Sequence, residues 1–248
     1  YNMNKLKNFK MIDSSDSYTT SKERLFDLPM RLLIIGKTGD SKSTTLARML
    51  LDPHFYKDDF VPENIYIFSG SFKGDNKLNI IKRELDIPDE NIVNGYDENM
   101  IEAIYDNLVE EFIEKTEDGE KDPKKLNSLL VFDDLAWSGE LKADRKEHQL
   151  TRIFMNGRKF LISCIIISQK YTSVGTTLRE NASGLILGKS SNKQLESIGG
   201  DHNYMENPRD FNTLFKKTTN IPYGKFVINF SEPNLYFNES YEPLVDKI

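Results

Sequence analysis

Lys42 and Ser43 lie near the end of the run Gly36-Lys37-Thr38-Gly39-Asp40-Ser41-Lys42-Ser43-Thr44, which follows the apolar stretch Leu32 to Ile35. Two glycines, a lysine and adjacent hydroxyls at this spacing, set between a strand and the start of a helix, can hold a chain of phosphates. Successive backbone N–H groups and the positive end of the helix supply donors, the lysine reaches the β and γ phosphates, and a hydroxyl holds Mg²⁺. Residues Gly36 to Thr44 form the expected cradle, with Lys42 on the phosphates, Ser43 on the metal and Thr44 capping the α-phosphate side. Ser41 stands where the usual pattern has its last glycine. A left-handed backbone there would cost a serine roughly 1–2 kcal/mol, weakening the loop without abolishing binding. A ligand-free Gly/Ser turn is the competing explanation, and such a turn seldom falls between an apolar strand and an apolar-periodic helix.

Carboxylates appear where that chemistry needs them. Leu129-Leu-Val-Phe-Asp133-Asp134 is an apolar run ending in two acids. Asp133 is the candidate for the Mg²⁺ shell and Asp134 for the general base that polarises an attacking water. The run Leu161 to Ser168 ends at Gln169, whose amide is placed to sense a γ phosphate or the lytic water. His54, His148 and His202 lack the i, i+4 pairing of a helical metal site, and Cys164 is the single cysteine, so a zinc cluster is not expected.

The elements that must position these groups are legible as periodicity. Short apolar runs at Arg31–Ile35, Asn64–Phe68, Leu129–Phe132, Leu161–Ser168, Gly184–Leu187 and Lys225–Phe230 alternate with helical stretches at Ser43–Leu51, Glu98–Glu114 and His148–Asn156. Several runs are apolar at nearly every position, the mark of strands buried on both faces, so the expected fold is α/β with a mostly parallel central sheet flanked by helices. Asn156-Gly157 is expected to end its helix with a left-handed stop. Residues 1–27 are polar and lack a period, predicting a loose arm or inter-subunit strap, and residues 28–248 make one domain whose aromatic run Tyr223 to Phe237 supplies edge strands or an oligomer contact.

Bulk composition narrows the class. At 248 residues the chain suits one large α/β domain, and no apolar run approaches the roughly 18 residues of a membrane span. The opening residues lack the pattern of a secretory leader, so a reducing interior is the expected home. A net charge of −6 argues against coating nucleic acid through an overall basic surface. The acidic stretch Asp97 to Asp122 reads as a solvated helix face and its loop.

Three segments together resemble a known family. Leu28-Pro-Met-Arg-Leu-Leu-Ile-Ile-Gly-Lys-Thr-Gly39, Leu130-Val-Phe-Asp-Asp134 and Phe154-Met-Asn-Gly157-Arg158-Lys-Phe-Leu-Ile-Ser163, leading into Ile167-Ser-Gln169, are similar to the FtsK/HerA superfamily. Within it they resemble the genome-packaging ATPases of poxviruses, giant viruses and virophages. Lys159 stands where the viral enzymes have His, and Asp134 where many relatives have Glu. The resemblance implies a P-loop NTPase of ASCE type, ATP with Mg²⁺ and a homo-oligomeric ring. It further implies pumping of double-stranded DNA into a preformed capsid through a vertex or portal-like component, in the host cytoplasm at the viral factory and in the virion.

A ring of this kind commonly completes its site with a cation from the neighbouring subunit. Arg158 is the first candidate, with Arg179 and Lys189 behind it. For sequence-independent DNA contact the candidates are Lys142, Arg145 and Lys146, three cations within five residues. A GTPase would need an Asn-Lys-x-Asp loop, and Asn192-Lys193-Gln194-Leu195 lacks the Asp. A small-molecule kinase would need an Arg-rich lid that the sequence does not display. The remaining alternative is a nucleotide-binding assembly subunit whose phosphate loop, weakened at Ser41, supports little hydrolysis.

Overall fold

The structure, a computed structural model, describes residues 24–135, 139–142, 148–232 and 235–245. Its frame is one eight-stranded sheet. The strands are β1 (Arg31–Ile35), β2 (Ile65–Ser69), β3 (Ile92–Asn94), β4 (Ser128–Asp133), β5 (Ile162–Ser168), β6 (Gly184–Leu187), β7 (Phe226–Asn229) and β8 (Tyr236–Phe237). Their order is β3-β2-β4-β5-β1-β6-β7-β8. The first six run parallel, and β7 and β8 are antiparallel to their neighbours.

Every residue of β4 and β5 is buried, as continuous apolarity predicts for strands covered on both faces. Two apolar clusters lie on opposite sides of the sheet. One gathers alternate residues such as Leu33, Leu130 and Ile166, and the other their neighbours Leu32, Val131 and Ile165, as the two-residue period of a strand requires. The second cluster is covered by α1 (Lys42–Leu51) and α2 (Asn76–Glu84), the first by α3 (Glu98–Glu117), α5 (Gln149–Asn156), α7 (Asn192–His202) and α8 (Pro208–Thr219). Two short helices, α4 (Pro123–Leu126) and α6 (Thr176–Glu180), fill connections. The acidic stretch is mostly the solvent side of α3, which buries Ile101, Tyr105 and Leu108 on its other side.

The predicted strands and the helices at Ser43, Glu98 and His148 recur with ends shifted by up to three residues. The expected left-handed stop at Gly157 does not occur. Gly157 has φ −57°, the chain continues through a 3₁₀ turn, and the left-handed residue is Leu161 at φ 53°. Gly157 is small for another reason: a Cβ there would lie 3.2 Å from the Ile162 carbonyl oxygen, so it permits a close approach to β5. The run from Tyr223 supplies β7, paired on both sides, and the edge strand β8, clamped to α8 by the mutual packing of Phe211, Phe215, Phe226 and Tyr236.

Among the described residues Leu25 and Phe26, ahead of Leu28, are already buried. Phe26 fills the space beside Gly184, where a Cβ would come within 2.1 Å of its ring. Asn229 Nδ2 donates to the Leu25 carbonyl at 3.1 Å, and Phe26 meets Tyr241 edge to face at 5.9 Å. Residues 1–23 of the expected arm, and Arg145 and Lys146 of the expected DNA contact, lie outside the described residues. Among the described residues no helix is long and apolar enough to cross a membrane.

Candidate functional site

Register decides what meets at the carboxyl edge of the sheet. Ile35 pairs with Ser168 and Leu187, and Asp133 with Ile167 and Ser69, so the residues that leave β1, β2, β4, β5 and β6 emerge side by side. In an open parallel sheet this is the edge where ligands bind.

Gly36 leaves β1 with its N–H on the Ser168 carbonyl at 3.1 Å, and Asp40 N–H closes a turn on the Lys37 carbonyl at 3.0 Å. Gly39 has φ 83°. Ser41 is also left-handed, at φ 58° and ψ 28°, and serves as the N-cap of α1 without a side-chain cap. Its strain of about 1–2 kcal/mol is therefore present in the fold. The loop is wedged in place by Asp40. Its Oδ2 lies where a Cβ on Gly188 would approach within 2.0 Å, or on Gly36 within 2.7 Å, and it has no hydrogen-bond donor among the described residues.

Lys42 donates from Nζ to the Lys37 carbonyl at 3.1 Å. Partial burial lowers its pKa, against the raising influence of Asp133, Asp40 and Asp134. Ser43 donates to Asp75 Oδ2 at 2.9 Å. Asp133 is 4% exposed, and its carboxyl is pushed up to about 7 by burial first, then by the charges of Asp75 and Asp134, with Lys42 opposing. Asp134 sits at φ 52°, and Gln169 donates from Nε2 to its Oδ1 at 3.4 Å. These groups share one cleft of about 420 Å³, lined by Thr38, Gly39, Asp40, Ser41, Lys42, Ser43, Thr44, Asp75, Asp133, Asp134 and Gln169. Lys37 stands exposed on the neighbouring side of the loop.

Asp75 is the participant that sequence reasoning missed. It caps α2, accepting the N–H groups of Lys77 and Leu78 through Oδ1, and so looks in sequence like an ordinary cap. The readable signal was its place on the loop after a strand, but only the pairing of β2 with β4 brings that loop to Asp133.

The oxygen-rich set fits a hard divalent cation. Among the described residues no group of three or more His, Cys, Asp or Glu side chains could by itself cage a metal. Mg²⁺ seldom uses such a cage: it is held by one or two carboxylates, waters and ligand phosphates. Ser43 and Asp133 would hold it, and the crowding that raises the Asp133 pKa is the repulsion a cation relieves.

The candidate neighbouring-subunit cations separate. Arg158 lies in the turn before β5, beside Arg31, whose pKa is lowered by burial first and then by the Arg158 charge. That is the opposite edge of the sheet, roughly 23 Å away along the seven residues of β5. Arg158 therefore does not act in its own chain's cleft. Arg179 is engaged, with Nη1 on Asp201 Oδ2 at 2.7 Å and its guanidinium 4.7 Å above the Tyr171 ring. Lys189 is exposed and follows Gly188 at the site edge, in a second cleft with Lys37 and Gln169. Lys142 is exposed.

The family model described as Poxvirus A32 protein matches residues 18–215. No curated protein matches the chain. Among solved structures, the chain is similar to the genome packaging NTPase B204 from Sulfolobus turreted icosahedral virus 2 in complex with AMP, at 10% identity and TM-score 0.56, covering 81% of this chain and 92% of that one. It is also similar to EssC (ATPases 2 and 3) from Geobacillus thermodenitrificans, at 18% identity and TM-score 0.56, over 81% of this chain and 38% of that one. The pCW3 conjugation coupling protein TcpA with ATPγS matches at 14% identity and TM-score 0.54, over 85% and 59% of the two chains. At these identities the likeness is one of fold, a P-loop NTPase sheet with flanking helices.

Proposed function

The chain belongs to the Poxvirus A32 protein family, and on that premise we propose that it is an ATP-driven translocase that packages double-stranded DNA into a viral capsid. The observation that carries the reading is the convergence of Lys42, Ser43, Asp133, Asp134 and Gln169 in one cleft at the carboxyl edge of a parallel sheet. The similar B204 NTPase, solved with AMP, ATPγS and AMPPCP, supports ATP as the nucleotide.

In this reading the loop from Gly36 to Thr44 binds the phosphates through its N–H groups, and Lys42 exchanges the Lys37 carbonyl for the β and γ oxygens. Ser43 and Asp133 hold Mg²⁺, which when bound neutralises phosphate charge. Asp134 accepts the proton of the attacking water, and Gln169, already bonded to that carboxylate, orients the same water. A cation from an adjacent subunit of a ring completes the site. The place of Arg158 at the far edge suits action in trans, and Lys189 is the alternative. Lys142 and its neighbours contact the DNA, a capsid vertex component is the partner, and the viral factory and virion are the expected locations.

A second reading, a nucleotide-binding assembly subunit with little turnover, is favoured by the strained Ser41. ATP hydrolysis at high protein concentration, with and without double-stranded DNA, separates the two. DNA-stimulated turnover that disappears in Lys42→Ala supports the motor. Nucleotide binding without turnover in any preparation, Ser41→Gly included, rejects it in favour of the subunit.

A further inference from the structure

We infer that the C-terminal turn around Glu239, together with Tyr223, forms the subsite for the nucleoside half of the bound nucleotide. The inference rests on the phosphate-site reading above and extends it to the part of the ligand that the phosphate loop cannot recognise.

The starting point is a small cleft of about 150 Å³ that shares Ser41 and Thr44 with the phosphate cleft. Lys42 and Ser43 face the β and γ end of a bound triphosphate, so Thr44 marks the α end, and whatever is attached to the α phosphate must leave past this residue. The cleft therefore lies where a nucleoside has to go. Its floor is apolar, formed by Met49, Ile186 and Val227, suited to the face of a base.

Two features of its rim lack an explanation within the fold. Tyr223 is 78% exposed and holds a left-handed backbone, φ 61°. A large aromatic ring kept in water on a disfavoured backbone contributes little to packing, but offers a stacking face to a base. The second feature is Glu239. Its Oε2 is closed off from solvent and has no hydrogen-bond partner among the described residues. A buried carboxylate oxygen without a donor is costly. Two cations lie nearby, and the Glu239 charge acts on Lys225, but neither side chain is hydrogen-bonded to the Glu239 Oε2. Arg48 donates to the Glu239 carbonyl at 3.4 Å and lies over the Phe55 ring, and Lys225 donates to the Tyr223 carbonyl at 3.4 Å.

The turn that carries Glu239 is itself well tied. Asn238 Oδ1 accepts the N–H groups of Ser240 and Glu242 at 2.9 and 3.0 Å, and Tyr241 N–H returns to the Asn238 carbonyl at 3.0 Å. Such a turn holds the carboxylate in place before a ligand arrives. The missing donors are O–H or N–H groups, which a nucleoside supplies from its ribose hydroxyls or its base, and which a bare phosphate chain does not.

The test compares ATP with inorganic tripolyphosphate, each titrated with Mg²⁺ into the full chain by calorimetry. The wild type should bind ATP at least about tenfold more tightly. Glu239→Gln, which keeps the shape and removes the charge, and Tyr223→Ala should each weaken ATP by roughly tenfold, as loss of one charged hydrogen bond or one stacked ring implies, and leave tripolyphosphate unchanged. A matching loss for 2′-deoxy-ATP assigns the Glu239 partner to the ribose, and for inosine triphosphate to the base amine. Equal affinity of the wild type for ATP and tripolyphosphate, with Lys42→Ala abolishing both, keeps the phosphate site and overturns the nucleoside subsite. Unchanged ATP affinity in both rim variants overturns it too. Binding of neither ligand by the wild type removes the phosphate site, and this inference with it.

Discussion

The Ser43 hydroxyl donates to Asp75 Oδ2 across 2.9 Å, although the two residues are 32 positions apart and one of them looks like a simple helix cap. The contact links α1 to α2 at the point where a metal ligand is expected. It also sets a third carboxylate beside Asp133 and Asp134, and so couples the cap of one helix to the protonation of a neighbouring strand end.

That coupling has a pH signature. The folded pKa of Asp133, about 7, is above its unfolded value, so its contribution to stability is fully present below about pH 4 and is lost as pH rises through 7. With divalent ions chelated, the urea midpoint should fall between pH 5 and pH 8. Asp75→Asn retains a cap acceptor and removes one of the charges responsible, so it should flatten this decline. An unaltered slope in the variant would detach Asp75 from Asp133.

Ser41→Gly should stabilise the domain by about 1 kcal/mol, since glycine adopts φ 58° without the penalty a serine carries. Equilibrium denaturation measures it. A loss of stability would mean that the Ser41 side chain contributes more than its backbone costs.

Gly188→Ala should disable the phosphate loop while sparing the fold. The new Cβ would meet Asp40 Oδ2 at 2.0 Å and push the loop from its seat. Affinity for a fluorescent ATP analogue should fall at least about tenfold, and Gly188→Ala combined with Asp40→Ala should recover part of it. Failure of the double variant to recover would place the damage in the backbone that follows β6 and not at Asp40.

A buried histidine gives an acid limb. Tyr171 donates to Asp201 Oδ2 at 2.7 Å, so at its 2.6 Å contact with His202 the neutral imidazole must be the donor, through Nε2. Burial lowers the His202 pKa to about 4, with Arg179 adding to the fall and Asp201 opposing it. The unfolded chain therefore takes up the proton first, and stability should drop as pH falls from about 6.5 to 4, by up to ~3 kcal/mol. His202→Gln should lose most of that slope in denaturant titrations at pH 4.5 and 7.

Much of the site was legible in the sequence because it is local. A phosphate loop needs one strand, one turn and one helix start, and Leu32 to Leu51 contain all three. The buried strands were legible because parallel strands covered on both faces are written as unbroken apolar runs. Asp75 and Glu239 were not, since each acquires its neighbours from sheet order and tail path, which no local pattern encodes. Gly157 misled for a different reason. Glycine after a helix answers either a need for positive φ or a need for space, and only the position of Ile162 shows that space was the need.

The clasp of Leu25 with Asn229, and of Phe26 with Tyr241, has a topological consequence. These contacts fasten the segment before β1 to β7 and to the turn after β8, so the antiparallel end of the sheet is tied to the parallel part by side chains as well as by the β6–β7 ladder.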